Sequence, residues 1–358
     1  MGTILLFVIV LSILVFVHEL GHFLMAKKMG MKVEEFGFGF PPRLFGIKKA
    51  GTIYSINWIP LGGFVRIKGE SGEDSRDKDS FAHKKIWQRF VVLVAGVTMN
   101  FVLAVVLLSA GFMIGLPATI DASLPSGAHI LESKISIVQV AENSPASQAG
   151  LVAGDVLVSL NDQTFTNDVE ARAYLLDHGK DGVTMLVEDK DGNSKTVNVH
   201  SEELIDLGVT AVGVAFLQTG IVSFSPFQAI LQGTAATVTF TIEVVKAFAN
   251  IISSIAGGKG PGVDLSGPVG IAVLTGEVAA MGFVYLIHFT ALLSINLAVI
   301  NVLPFPALDG GRILFLIIEK LRGGKPVSMR FEAAMHNAGF ALLMLLVVIV
   351  TYRDIVNL

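Results

Sequence analysis

The sequence predicts an α-helical polytopic membrane protein with four transmembrane helices, an inserted extracytoplasmic α+β module and a membrane-associated β-loop. Three observations predict it. Of 358 residues, 52% are hydrophobic and only 16% charged, against about 25% charged in soluble domains. Four stretches approach the roughly 20 apolar residues that a helix needs to cross a bilayer. Lys and Arg are spread unevenly among the segments between them.

Residues 1–116 hold the first two spans, over about 3–25 and 90–116. The first has no basic residue before its apolar run and no small-residue cleavage site after it, so it reads as a retained helix rather than a secretory signal. Between them, 33–69 is rich in aromatic, β-branched and glycine residues, which predicts short strands and turns. The charged stretch 69–85 reads as a solvated linker. Residues 117–222 form the inserted module. Within them, 130–216 alternates apolar and polar residues, with turns at Asn143-Ser144-Pro145, Ala153-Gly154-Asp155 and Lys190-Asp191-Gly192-Asn193. In 223–275 the run 226–256 is apolar but carries Glu243, Lys246 and many Thr and Ser. It predicts an amphipathic helix on the membrane surface followed by a linker, with a fifth span as the rival. Residues 276–358 hold the last two spans, at about 281–303 and 338–352, the latter short unless it begins near 333.

Segment 26–89 holds 13 Lys/Arg, whereas 117–280 holds 7 against 18 Asp/Glu. Basic residues near span ends favour the cytoplasmic side. The first loop and the connection after the third span are therefore expected in the cytoplasm, and both termini outside. There are no cysteines, which excludes disulfides, thiolate metal ligands and a cysteine nucleophile. No nucleic-acid partner is expected.

The first span contains His18-Glu19-Leu20-Gly21-His22. Residues four apart share a helical face, so both imidazoles can point at one ion. Glu19 is placed to take a proton from metal-bound water. An acid at mid-span costs about 2.5–3.5 kcal/mol on insertion scales, and a shared ion accounts for three such groups together. Catalytic zinc takes three protein ligands and leaves one position open. The candidate third ligand is Asp309, in Asn301-Val302-Leu303-Pro304-Phe305-Pro306-Ala307-Leu308-Asp309-Gly310-Gly311. Pro304 and Pro306 break the helix, and broken backbone at membrane depth must line a cavity or be buried in protein. His22 lies five residues, about 7 Å, from Lys27 near the cytoplasmic end of its helix, and the third span ends on the same side. The competing role for Asp309 is a cap on the helix that follows. His83, His129, His178, His200, His288 and His336 are not expected to be ligands.

Together these motifs resemble the site-2 protease family of intramembrane metallopeptidases, and most nearly its bacterial branch acting on anti-sigma factors and remnant signal peptides. The resemblance spans essentially the whole chain. It implies Zn2+ held by His18, His22 and Asp309, with Glu19 as catalytic base. Ala95-Gly96-Val97-Thr98-Met99-Asn100-Phe101 resembles a second-span signature of the family, with Val97 in place of its proline, and Ser266-Gly267-Pro268-Val269-Gly270-Ile271 another before the third span. Asn296 and Asn301 match asparagines that help hold substrate, with Pro304 and Pro306 in the same lining. Amides on membrane helices also bind helix to helix, the use expected of Asn100. Segment 33–69 resembles the family's membrane-associated β-loop, whose edge could pair with an extended substrate. Residues 144–161 resemble a single PDZ domain, implying capture of peptide ends or exclusion of bulky proteins. The expected partners are single-span membrane proteins and the bilayer, at the plasma (inner) membrane with the site near the cytoplasmic side. The alternative is a membrane-anchored PDZ receptor with a structural or vestigial metal site.

Overall fold

The computed structural model describes residues 2–70, 72, 76–120, 124–125, 127–189, 192–204, 209–258 and 266–356. The expected turn residues Lys190 and Asp191, and parts of the two linkers, lie outside them. The chain divides into two compact units, 1–111 with 226–358, and 112–225.

The first unit opens with α1 (Gly2–Lys28), β1 (Val33–Lys49) and β2 (Thr52–Ile67), then a short 3₁₀ turn (Phe81–His83) and α2 (Ile86–Ile114). Val10, Leu14, His18 and His22 line the buried stripe of α1, at the spacing that a 3.6-residue turn places on one face. Gly21 lets α1 approach α2, because a Cβ there would run into the backbone carbonyl of Ala95.

The strands β1 and β2 are not a flat hairpin. Phe36 pairs with both Tyr54 and Val65, and Gly37 with both Ser55 and Phe64. β2 therefore folds around β1, leaving its stretch 63–67 along one edge. That edge runs against α1: Ser12 Oγ donates to the Pro60 carbonyl (2.6 Å) and accepts from Gly62 N–H (3.3 Å). Gly62 has φ +85° and no room for a Cβ beside Val15, so glycine is required there. The far part of the hairpin exposes Leu44, Phe45, Ile47, Ile56 and Trp58.

The stretch after β2 is tied down more firmly than a solvated linker. Phe81 is buried, Lys68 pairs with Asp77 and Asp79, and Glu70 pairs with Arg312. The Glu70–Arg312 pair joins residues far apart in sequence, so local composition did not show it.

The second unit carries β3 (Leu116–Thr119), β4 (His129–Val140), α3 (Pro145–Gln148), β5 (Val156–Leu160), α4 (Asp168–His178), β6 (Val183–Glu188), β7 (Ser194–Val199), β8 (Glu202–Leu204), β9 (Val209–Ala211) and β10 (Val214–Ser223). Six strands form one antiparallel sheet in the order β3-β10-β4-β5-β6-β7. Its core contains Ile137, Leu160, Met185, Val187 and Phe216, all fully buried. Val183, Met185 and Val187 fall on one face through the two-residue period of a strand. Asn167 caps α4 by accepting from Glu170 N–H (2.9 Å), while the Glu170 carboxylate accepts from the Thr166 hydroxyl (2.9 Å).

The first unit resumes with α5 (Pro226–Ala256), α6 (Pro268–Met281), α7 (Phe283–Val302), α8 (Asp309–Leu321) and α9 (Met329–Val356). Among the described residues, α1, α2, α5, α7 and α9 are long and apolar enough to cross a membrane. The run 226–256, read from sequence as a surface helix with a fifth span as rival, is one continuous helix long and apolar enough for either role. In α5, Phe240, Val244 and Phe248 pack on Ala104, Ile295 and Val299 of α2 and α7, and Gly233 lies against Ser109. Its two charges stay exposed and pair with each other, Lys246 Nζ sitting 3.0 Å from Glu243. The last span is longer than the sequence suggested, since α9 starts at Met329.

Candidate metal centre

The site lies within the first unit. α1 supplies His18 and His22 from adjacent turns, both buried. Asp309 is the first residue of α8, and its side chain is 17% exposed. The helix N-cap is Leu308, and Asp309 makes no capping bond, so its carboxylate is free to turn toward the histidines.

Three potential donor atoms converge. The Nε2 atoms of His18 and His22 lie 3.2 Å apart, and Asp309 Oδ2 is 3.1 Å from the first and 3.3 Å from the second. A tetrahedral ion with bonds of about 2.0–2.1 Å requires donor separations of about 3.3 Å, so the spacing fits zinc. Despite the nearby rings, Oδ2 is buried with no aligned hydrogen-bond donor, and a buried carboxylate oxygen without a partner is costly. His22 Nδ1 donates to the Val92 carbonyl (2.8 Å). In the neutral ring this leaves Nε2 as a lone pair aimed at the common point. No other cluster of three His, Cys, Asp or Glu side chains among the described residues could share an ion.

The broken segment 303–308 sets the position of Asp309. Ala307 has φ +81°, a region that costs a non-glycine residue roughly 1–2 kcal/mol. His336 of α9 holds it, its Nδ1 accepting from Ala307 N–H at 2.8 Å. Gly310, Gly311 and Gly339 let the backbone wrap tightly, since a Cβ on any of them would strike the carbonyls of Leu303, Phe305 or Pro306. Sequence reading set His336 aside as a ligand and gave it no other use. Nothing in its local pattern links it to Ala307.

Glu19 is half-buried, and its Oε2 accepts from Val65 N–H on the edge of β2 (3.1 Å). Asn296 donates to the Leu292 carbonyl of its own helix (2.9 Å). Asn301 is half-buried and makes no side-chain hydrogen bond with the described residues. Pro304 is exposed and Pro306 half-buried. Beside this segment a cavity of about 450 Å³ is lined by Glu70, Arg89, Arg312, Glu319, Glu332 and His336. Two ion pairs, Arg89 with Glu319 and Arg312 with Glu70, cross it.

A family model described as Peptidase family M50 matches residues 6–346. The regulator of sigma-W protease RasP of Bacillus subtilis is 31% identical, with 100% of this chain and 99% of the relative covered. The zinc metalloprotease RasP of Geobacillus kaustophilus is 32% identical, with 98% and 96% covered. Among solved structures, the PDZ domain of an SdrC-like protein from Listeria monocytogenes is 15% identical. It covers 27% of this chain and 93% of its own, with a TM-score of 0.21.

Proposed function

Because this chain belongs to peptidase family M50 and is similar to relatives named zinc metalloproteases, we propose that His18, His22 and Asp309 hold its zinc and that Glu19 is the base for peptide hydrolysis within the bilayer. The protein is an intramembrane zinc metalloendopeptidase. The observation that carries the assignment of its site is the triangle of two Nε2 atoms and one carboxylate oxygen at 3.1–3.3 Å.

Zinc held by His18, His22 and Asp309 would supply a water acidic enough to ionise near pH 7 and a Lewis acid for the scissile carbonyl. Glu19 accepts the proton of the attacking water and passes it to the leaving amine. Val65 N–H fixes its carboxylate from the strand edge. The same edge of β2 offers an extended peptide a row of backbone groups, and a transmembrane segment must be extended before its amide can be attacked. In this reading Asn301, whose amide makes no hydrogen bond with the described residues, binds that peptide, with Pro304 and Pro306 in the wall. Asn296 would first have to release Leu292.

The apolar hairpin face with Leu44, Phe45 and Trp58 is membrane-associated in this reading. The C-terminal ends of α1 and α7 meet at one site, so these helices cross in the same sense. Gly267 and Gly270 donate to Asp354 near the end of α9 (3.1 and 2.7 Å), and Gly276 lies against Thr3 at the start of α1. The chain is thus back at the level where α1 begins, which favours α5 as an amphipathic helix that adds no crossing and leaves four complete crossings. The basic loops put the metal near the cytoplasm and both termini outside. The second unit acts as a single PDZ-like module that binds peptide ends or excludes bulky proteins. The substrates are single-span membrane proteins, such as anti-sigma factors or remnant signal peptides.

Glu19→Gln tests the assignment. The variant should retain stoichiometric zinc and lose cleavage of a membrane-embedded model substrate. Continued cleavage would remove Glu19 from its role.

A further inference from the structure

Both histidine rings lie against one face of α2. Val92, Gly96 and Asn100, spaced four apart, form that face. The Val92 carbonyl takes the Nδ1 proton of His22. Gly96 clears space for the rings. Asn100, fully buried, places its side-chain amide 3.3 Å from Nδ1 of His18.

We infer that Asn100 is the positioning residue for His18: its amide oxygen accepts the Nδ1 proton and so leaves Nε2 free for the metal. The inference rests on the zinc assignment above. With the amide nitrogen toward the ring, Nδ1 would be the acceptor and Nε2 would carry the proton, pointing it at Asp309 and away from any use as a ligand. The two amide orientations have the same shape, so the ring proton decides between them. The amide oxygen has no partner in that first orientation, and turning the amide over gives it one. α2 would then hold both ligands the same way, through one backbone oxygen and one side-chain oxygen. Such outer partners fix ligand tautomers and orientation at metal sites generally.

The packing of α2 on α7 does not use this side chain. The hydrogen bond joining α2 to α7 here runs from Ser294 Oγ to the backbone carbonyl of Asn100 (2.8 Å), and any residue at 100 would keep it.

The test is zinc affinity of the full-length protein in detergent, by competition with a chromophoric chelator, alongside the melting temperature of the zinc-free form. Asn100→Ala should bind zinc about 10–100-fold more weakly, with the zinc-free melting temperature little changed. Asn100→Asp, whose carboxylate accepts the same proton, should restore the affinity. Unchanged affinity in Asn100→Ala, or no recovery in Asn100→Asp, overturns the inference. A wild-type protein that binds no zinc overturns the metal assignment itself, a distinct result. If Asn100→Ala does not fold, the zinc-loaded wild-type structure decides. An amide within hydrogen-bond reach of Nδ1 supports the inference, and a ring turned away from Asn100 refutes it.

Discussion

Gly96→Ala places one methyl group where the site has no room. A Cβ at position 96 would stand 2.7 Å from Cε1 of His22 and 2.9 Å from Cε1 of His18, and it would crowd Nε2 of His22 more closely still. Ordinary contact begins near 3.4 Å, so the His22 ring must retreat by at least about 0.7 Å. Metal–ligand distances tolerate about 0.2 Å. The ring cannot swing freely, because its Nδ1 is held by Val92. The helix itself should gain, since alanine is favoured over glycine in a helix interior by about 0.8–1 kcal/mol. The expected variant is therefore folded and zinc-poor, with zinc affinity reduced about 100-fold or more, the scale at which a 1 Å misplacement impairs catalysis. Chelator competition and elemental analysis measure the metal, and thermal melting of the zinc-free protein measures the fold. Wild-type affinity in Gly96→Ala would show that the rings do not occupy these positions when zinc is bound.

The remaining predictions concern stability. Arg89→Ala leaves Glu319 buried without its partner and should destabilise by about 3–5 kcal/mol, whereas Arg89→Met with Glu319→Leu should fall near neutral; chemical unfolding in detergent separates the two outcomes. Hydrogen bonds from Thr166 hold the Glu170 carboxyl below its usual range. The folded form therefore favours the ionised state. The stabilisation is present above the unfolded value of about 4.3 and is lost as pH falls through the lower folded value. Protection factors for hydrogen exchange in α4, corrected for the intrinsic pH dependence, should fall on acidification in that window, and Glu170→Gln should remove that part of the pH dependence. Asn167→Ala, which deletes the cap of the same helix, should cost about 1 kcal/mol.

The two histidines of the proposed metal centre were legible because their spacing is local. His18 and His22 are one helical turn apart, and Pro304 with Pro306 marks broken backbone that has to be sheltered. The spans were legible because an apolar run is its own signal. What escaped depends on residues meeting across long chain separations. His336 reaches Ala307, Glu70 reaches Arg312, and Asn100 touches a ring that the sequence placed only on another helix. The curl of β2 around β1 escaped because alternation reports which face a residue takes, not how many neighbours a strand has. In α5 the sequence showed two charges in an apolar run and suggested a surface. The structure pairs them and lays the helix along the bundle.

Glu19 shares its Val65 hydrogen bond with the lip along which a substrate would lie, yet the proposed third ligand, Asp309, comes from near the far end of the chain. During synthesis the first helix therefore emerges with its two imidazoles and its acid but with no third donor. On the proposed ligand set, a nascent or truncated chain has an incomplete centre and would not cut its neighbours in the membrane. Competence arrives only when the C-terminal helices are inserted and folded, so assembly itself serves as the safety catch.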